Sequence, residues 1–202
     1  KKDLIKFIQL GSSVEYGGIK SPQKEQNGIL RIKKIHSTYG LSKLLSTIFL
    51  IKENKRKNFP AVIIRPYQIY GPYQTLDRLI PFTICSCLQN KNFNCSNGLQ
   101  SRDFLYVSDA VAFIYKIMIG AEVGKIFNLG SGMKIMVRNV INMIVKLSKG
   151  GKPQFGKIKL RKDETLELYP SINLAKSKNW KPKVKLEKGL NLTVKYYKKF
   201  RN

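Results

Sequence analysis

Pro60-Ala61-Val62-Ile63-Ile64-Arg65 is an unbroken apolar run, largely β-branched, that turns polar only at its last residue. A strand with one wet face would alternate; this one predicts burial on both faces, as in a parallel sheet covered by helices on either side. Upstream, residues 36–54 carry Leu41, Leu44, Leu45, Ile48 and Phe49 at helical spacing, and a polar loop from about 17 to 35 precedes them. Before that loop Ile5-Lys6-Phe7-Ile8-Gln9-Leu10 reads as a strand ending in the small residues Gly11-Ser12-Ser13. The order is therefore strand, loop, helix, strand. Downstream, Val107-Ser108-Asp109 opens an amphipathic helix to about Ile119, with Ser108 or Asp109 as its cap. A strand at Lys125–Leu129, a turn at Gly130-Ser131-Gly132 and a helix from Val137 to Lys149 follow. This alternation predicts an α/β fold built from βαβ units.

The remaining segments are less regular. Pro66–Arg78 is a loop rich in Pro, Gly, Tyr and Gln, Leu79–Leu88 a short buried helix, and Ser101–Leu105 an extended connection. The tail holds a basic loop, Trp180-Lys181-Pro182, and a last helix after Gly189. With 202 residues and 43% apolar content the chain can bury a core of one unit, or of one unit and a small lobe.

The net charge of +26 invites a nucleic-acid reading, the contrasting class of function. The lysines are, however, spread over almost every segment, whereas a groove binder concentrates them in a stripe with aromatics interleaved. No specific nucleic-acid partner is therefore expected. Cys85, Cys87 and Cys95 with the single histidine His36 cannot assemble a closed zinc site, so packed, reduced thiols and no metal are predicted. No stretch has the apolar length of a membrane span, and Lys1–Lys6 lacks secretory-signal features, which makes a cytoplasmic location the default. The chain opens on lysine with no preceding glycine-rich turn and reads as a fragment.

Tyr39 and Lys43 sit four apart on the predicted helix, so both side chains leave one face. A phenol is a poor base at neutral pH, and a neighbouring ammonium favours its phenolate, which makes the pair a proton shuttle. Ser12, at the C-terminal end of a strand, faces the crevice where open α/β sheets bind ligands, and can orient a hydroxyl there.

The pair keeps ordered company. Gly11-Ser12-Ser13-Val14-Glu15-Tyr16-Gly17, Tyr39-Gly40-Leu41-Ser42-Lys43, Arg65-Pro66-Tyr67-Gln68-Ile69-Tyr70-Gly71-Pro72, Arg102-Asp103-Phe104-Leu105-Tyr106-Val107-Ser108-Asp109 and Phe127-Asn128-Leu129-Gly130-Ser131-Gly132 follow one another. Together the five resemble the extended short-chain dehydrogenase/reductase family, specifically its NAD-dependent nucleotide-sugar epimerases and dehydratases. The resemblance runs from Phe7 to Tyr197.

It implies the C-terminal part of a Rossmann-type parallel sheet, residues 1–72 interleaved with 101–132, plus a smaller α/β substrate-binding lobe, mainly 73–100 and 133–202. It implies Ser12, Tyr39 and Lys43 as the catalytic trio, with the same three and Pro66 and Tyr67 along the cofactor, NAD or alternatively NADP. Gln68 stands where many members place an asparagine on the substrate diphosphate. Arg102 resembles the arginine that reaches that diphosphate, and either Arg161 or Lys162 a second one. Arg78 and Leu79 belong to the stretch lining the substrate nucleotide. The implied partner is a nucleoside-diphosphate sugar, and the implied assembly a homodimer through the Tyr39 helix and its neighbour.

Two departures narrow the expectation. The glycine-rich turn that seats a pyrophosphate on a helix N-terminus is absent from these residues, so the 202 residues alone are expected to bind NAD poorly and not to turn over. The family's 4,6-dehydratases place an acid pair directly after the catalytic Ser or Thr; here those positions are Ser13 and Val14. Glu15 is one residue late, on the other face if the segment is strand-like. That favours an epimerase working through a transient 4-keto sugar, with a reductase or a 4,6-dehydratase as alternatives.

Overall fold

A computed structural model describes residues 4–28, 35, 37–161 and 164–199. His36 and Lys162 lie outside the described residues. The elements in chain order are β1 (Phe7–Leu10), α1 (Thr38–Lys57), β2 (Ala61–Pro66), β3 (Gln68–Tyr70), α2 (Leu79–Leu88), β4 (Asn92–Cys95), β5 (Ser101–Arg102), β6 (Phe104–Tyr106), α3 (Val107–Ile119), β7 (Lys125–Leu129), β8 (Ile135–Met136), α4 (Val137–Ser148), β9 (Lys152–Phe155), β10 (Glu167–Leu168), α5 (Asn173–Lys176) and α6 (Leu186–Lys199).

β2 is the centre of a three-stranded parallel sheet of order β1-β2-β7, in register Phe7 to Ala61 on one side and Val62 to Lys125 on the other. Its side chains alternate between the two faces. Ala61 and Ile63 pack with Leu50 and Ile51 of α1. Val62 and Ile64 pack with Ala110, Phe113 and Ile117 of α3 and with Phe127 of β7. Residues 61–65 are all buried, as the apolar run predicts. At roughly 1.5–3 kcal/mol per buried Val or Ile side chain, this strand is where the sheet gains most from burial. Arg65, two residues after Ile63, lies on the α1 face and is fully buried.

A second core joins α2, α4 and α6, with Ile80, Ile84, Val140, Ile141, Ile144, Leu190 and Val194 closing on Phe93 of β4 and Phe104 of β6. Two short parallel pairs, β3-β6 and β4-β9, and the small sheet β10-β5-β8 border it.

Several sequence expectations shift. α1 starts at Thr38, capped by Ser37, whose side chain accepts from Gly40 N. The cap of α3 is Tyr106, not Ser108 or Asp109; Asp109 instead accepts backbone hydrogen bonds from Lys183 N at 3.0 Å and Val184 N at 2.8 Å, tying the tail to the helix. The last helix begins at Leu186, before Gly189. Ser101–Leu105 is two strands of different sheets, parted at Asp103. That carboxylate is fully buried and accepts from Ser131 N at 2.6 Å, Ser131 Oγ at 2.9 Å and Met133 N at 3.0 Å. Burial pushes its pKa up despite those bonds.

Candidate active site

The end of β1 runs into a 3-10 turn, Ser13–Tyr16, capped by Ser12. Ser12 has extended φ and ψ of −160° and 151°, its Oγ accepts from Val14 N at 3.4 Å, and Glu15 Oε1 accepts from Ser12 N at 2.7 Å. This reciprocal arrangement is a capping box, which explains why the chain turns here. The strand-like geometry expected for 12–15 is therefore wrong. Glu15 does face away from the crevice, but because the turn folds it inward, not because strand faces alternate.

Tyr39, Lys43 and Thr47 follow at four-residue steps along one face of α1. Lys43 Nζ donates to the carbonyl of Leu10, the last residue of β1, at 2.9 Å, and lies 5.7 Å from the centroid of the Tyr39 ring. One turn deeper, Thr47 Oγ1 donates to Glu15 Oε2 at 2.7 Å. Gly40 makes the close approach of the helix start possible: a Cβ there would sit 2.9 Å from Ile35 Cγ2 and from Ser37 Oγ. Tyr39 is 57% exposed and its hydroxyl makes no hydrogen bond among the described residues. Ser12 is half-buried on the turn above the same strand end.

Behind them lies a polar cluster that the sequence did not disclose. Arg65 Nε donates to Glu15 Oε2 at 2.9 Å. Arg65 Nη2 is 2.8 Å from that oxygen but out of line for a hydrogen bond, so both Nη groups are buried without a hydrogen-bond partner among the described residues. The guanidinium covers the Tyr16 ring at 4.6 Å, and the Tyr16 hydroxyl donates to Asn128 Oδ1 at 2.6 Å. Burial raises the Tyr16 pKa to about 12, against the lowering influence of Arg65. Tyr67 is buried beside this cluster, its hydroxyl donating to Gln23 Oε1 at 2.7 Å, and burial raises its pKa strongly. Pro66, at the end of β2, is half-buried. A charged residue closing an otherwise apolar strand was the one sequence signal that could have exposed Arg65.

Two adjoining cavities open nearby; Ser12, Tyr39 and Lys43 line neither of them, and the nearer one is walled by Val14 of the Ser12 turn and by Ser37, the cap of α1. One, of about 340 Å³, is lined by Val14, Gly17, Ser37, Gln68, Arg102 and Arg161 among others. The other, of about 430 Å³, shares Gln68, Arg102 and Glu164 with it and is otherwise largely apolar, with Leu79, Phe82, Phe93 and Phe104 in its wall. Arg102 is nearly buried and paired with Glu164, a partner not anticipated from the sequence. The structure thus brings Gln68, Arg102 and Arg161 to one cleft and Leu79 to its apolar extension. Arg78 is an exposed residue capping α2 and lines neither cavity.

The model of the NAD dependent epimerase/dehydratase family matches residues 1–130, well over half of the chain. The chain belongs to the NAD dependent epimerase/dehydratase family. Within that family it is similar to the dTDP-D-glucose 4,6-dehydratase of Mus musculus, 29% identical over 202 residues, covering 96% of this chain and 56% of the relative. The UDP-glucuronic acid 4-epimerase of Bacillus cereus, solved in complex with UDP-glucuronic acid and NAD, superposes with a TM-score of 0.85 at 25% identity, over 96% of this chain and 62% of that one. The fold is also that of the UDP-glucose 4-epimerase of Thermotoga maritima, with a TM-score of 0.87 at 24% identity over 99% of this chain and 65% of that one. The chain thus spans just over half the length of that mouse relative. Among the described residues, no helix is long and apolar enough to cross a membrane, and no group of three or more His, Cys, Asp or Glu side chains could hold a metal.

Proposed function

We propose that the whole protein is a cytoplasmic, NAD-dependent epimerase that acts on a nucleoside-diphosphate sugar through a transient 4-keto intermediate. The observation that carries this reading is the pairing of Lys43, anchored at the end of β1, with Tyr39 on a helix whose cap Ser37 walls the cleft that holds Gln68, Arg102 and Arg161. Lys43 gives one N–H to Leu10 and keeps two, while the Tyr39 hydroxyl is unengaged among the described residues, a donor set that fits a vicinal diol such as a ribose. When bound, NAD supplies reversible hydride acceptance. The chain's own groups handle the proton. Tyr39 takes it from the sugar hydroxyl as the carbonyl forms and returns it on reduction, Lys43 holds the ribose, and Ser12 Oγ orients the sugar oxygen. Residues 1–72 and 101–132 form the cofactor side in this reading, and the rest mainly the substrate side. Arg102 and Arg161 hold the diphosphate, and the apolar cavity walled by Phe82 and Phe93 takes the nucleoside.

A 4,6-dehydratase is the second reading, favoured by the similarity to the mouse relative. Against it, Val14 presents an apolar side chain to the cleft and Ser13 is buried, so neither supplies an acid where elimination needs one. The test is to give the full-length protein a nucleoside-diphosphate hexose with NAD and identify the product. A C4 epimer without net coenzyme consumption supports the epimerase, and a 4-keto-6-deoxy sugar supports the dehydratase instead. Stoichiometric NADH or NADPH consumption on a 4-keto-6-deoxy substrate indicates a reductase, and no product from any of these refutes nucleotide-sugar chemistry. The 202 residues alone, which contain no glycine-rich pyrophosphate turn, are expected to show no turnover.

A further inference from the structure

We propose that Glu15 is a positioning residue: its buried carboxylate clamps the Ser12 turn to the helix bearing Tyr39 and Lys43 and thereby sets the geometry of the trio. The inference rests on the assignment of those three as the reacting groups.

Each bond of Glu15 ends on an element that carries part of the site. Oε1 accepts from Ser12 N at 2.7 Å, fixing the backbone of the residue whose hydroxyl orients substrate. Oε2 accepts from Thr47 Oγ1 at 2.7 Å, on the same face of α1 as Lys43 and Tyr39 and one turn beyond Lys43. Oε2 also accepts from Arg65 Nε at 2.9 Å, in the strand that leads into Pro66, Tyr67 and Gln68. Lys43 then makes a second, parallel tie from α1 to β1 through Leu10. Two anchors one turn apart fix both the position and the rotation of the helix against the strand end, which a single anchor cannot do. Space has been left for the carboxylate: a Cβ on Gly11 would lie 2.2 Å from Glu15 Oε1.

Stability alone is a poor explanation for this cluster. A buried ion pair returns little net stability once both charges are desolvated, and here two guanidinium nitrogens have no hydrogen-bond partner among the described residues. The arrangement instead secures one relative placement of three elements, and a displacement on the order of 1 Å at a reacting group can cost about a hundredfold in rate.

The experiment compares wild-type full-length protein with Glu15→Gln and Thr47→Val. It measures melting temperature, kcat and KM with a nucleoside-diphosphate hexose, and amide hydrogen exchange over residues 11–16 and 38–47. Glu15→Gln keeps an acceptor for Ser12 N but presents an amide to Arg65; Thr47→Val removes one tie at nearly constant shape. The clamp predicts a kcat loss of roughly tenfold or more in both, KM within about threefold, and faster exchange in both segments together. Folded variants with kcat within about twofold of wild type, or with unchanged exchange in the two segments, overturn it. Should Glu15→Gln fail to fold, Thr47→Val decides by itself. If wild type turns over no nucleotide-sugar, the functional reading fails, while exchange in Thr47→Val still decides the clamp: coupled loosening sustains it and no change refutes it.

Discussion

Tyr39 separates chemistry from stability unusually well, because it is exposed, unbonded among the described residues and placed by its helix rather than by its own contacts. Tyr39→Phe removes one hydroxyl and leaves the ring beside Lys43. In the full-length protein it is expected to lower kcat by at least about 10²-fold, the scale of a positioned acid/base group, with the melting temperature unchanged within error. A loss under about tenfold would remove Tyr39 from the mechanism. The trio proposed here, Ser12, Tyr39 and Lys43, could be nominated from sequence because its signal lies in local order: a serine after a strand, and two side chains one helical turn apart. Glu15 and Arg65 were not, because their bond spans fifty positions and no local pattern pairs them. Glu15 was noticed, but alternation along a strand was the wrong period for a segment that a capping box had turned into a 3-10 helix.

At the scale of elements, long and strongly periodic segments were the readable ones. β2 announced itself by composition and α1 by spacing, whereas β4 and β9 went unseen because each gains its identity only from pairing with the other. The loop expected through 17–35 likewise hides a 3-10 turn at Glu25–Gly28 and a bridge from Gln23 to Pro170, both dictated by tertiary contact. α1 carries a further consequence. Its Leu44, Thr47 and Leu50 are buried and its Lys43 reaches the strand end, yet Leu45 and Phe49 are 49% and 61% exposed on the opposite side. We propose that this stripe forms the homodimer contact, and expect the full-length protein to sediment as a dimer. Phe49→Lys should shift it to monomer at micromolar concentration while leaving the fold intact by circular dichroism. A wild-type protein that sediments as a monomer would exclude the contact.

Taken whole, the molecule holds its strand ends together around neutral phenols. Tyr16 is bonded to Asn128, Tyr67 to Gln23, and Tyr70 to the Leu186 carbonyl, so the three hydroxyls join β-strand ends to distant segments. Burial raises the pKa of all three, that of Tyr16 to about 12, above the ordinary value of 10.0 that the unfolded chain regains. The sign follows directly. A group whose folded pKa is raised stabilises the fold fully below the unfolded pKa, and that contribution is lost as pH climbs from there through the folded value. For Tyr16 the window is about pH 10 to about 12, and a two-unit shift corresponds to roughly 2–3 kcal/mol. Stability measured by denaturant titration should therefore be flat with respect to these groups up to about pH 9 and fall steeply beyond pH 10. Because a buried phenolate would need its own desolvation and the loss of its donated bond, the three should ionise only as the chain opens. Tyrosinate absorbance is then expected to show one set of phenols titrating smoothly and a second appearing together with the loss of far-ultraviolet circular dichroism. Tyr16→Phe should keep the ring under Arg65, free Asn128, and reduce the steepness of the alkaline transition; an unchanged transition in that variant would show that Tyr16 is not held neutral by its burial.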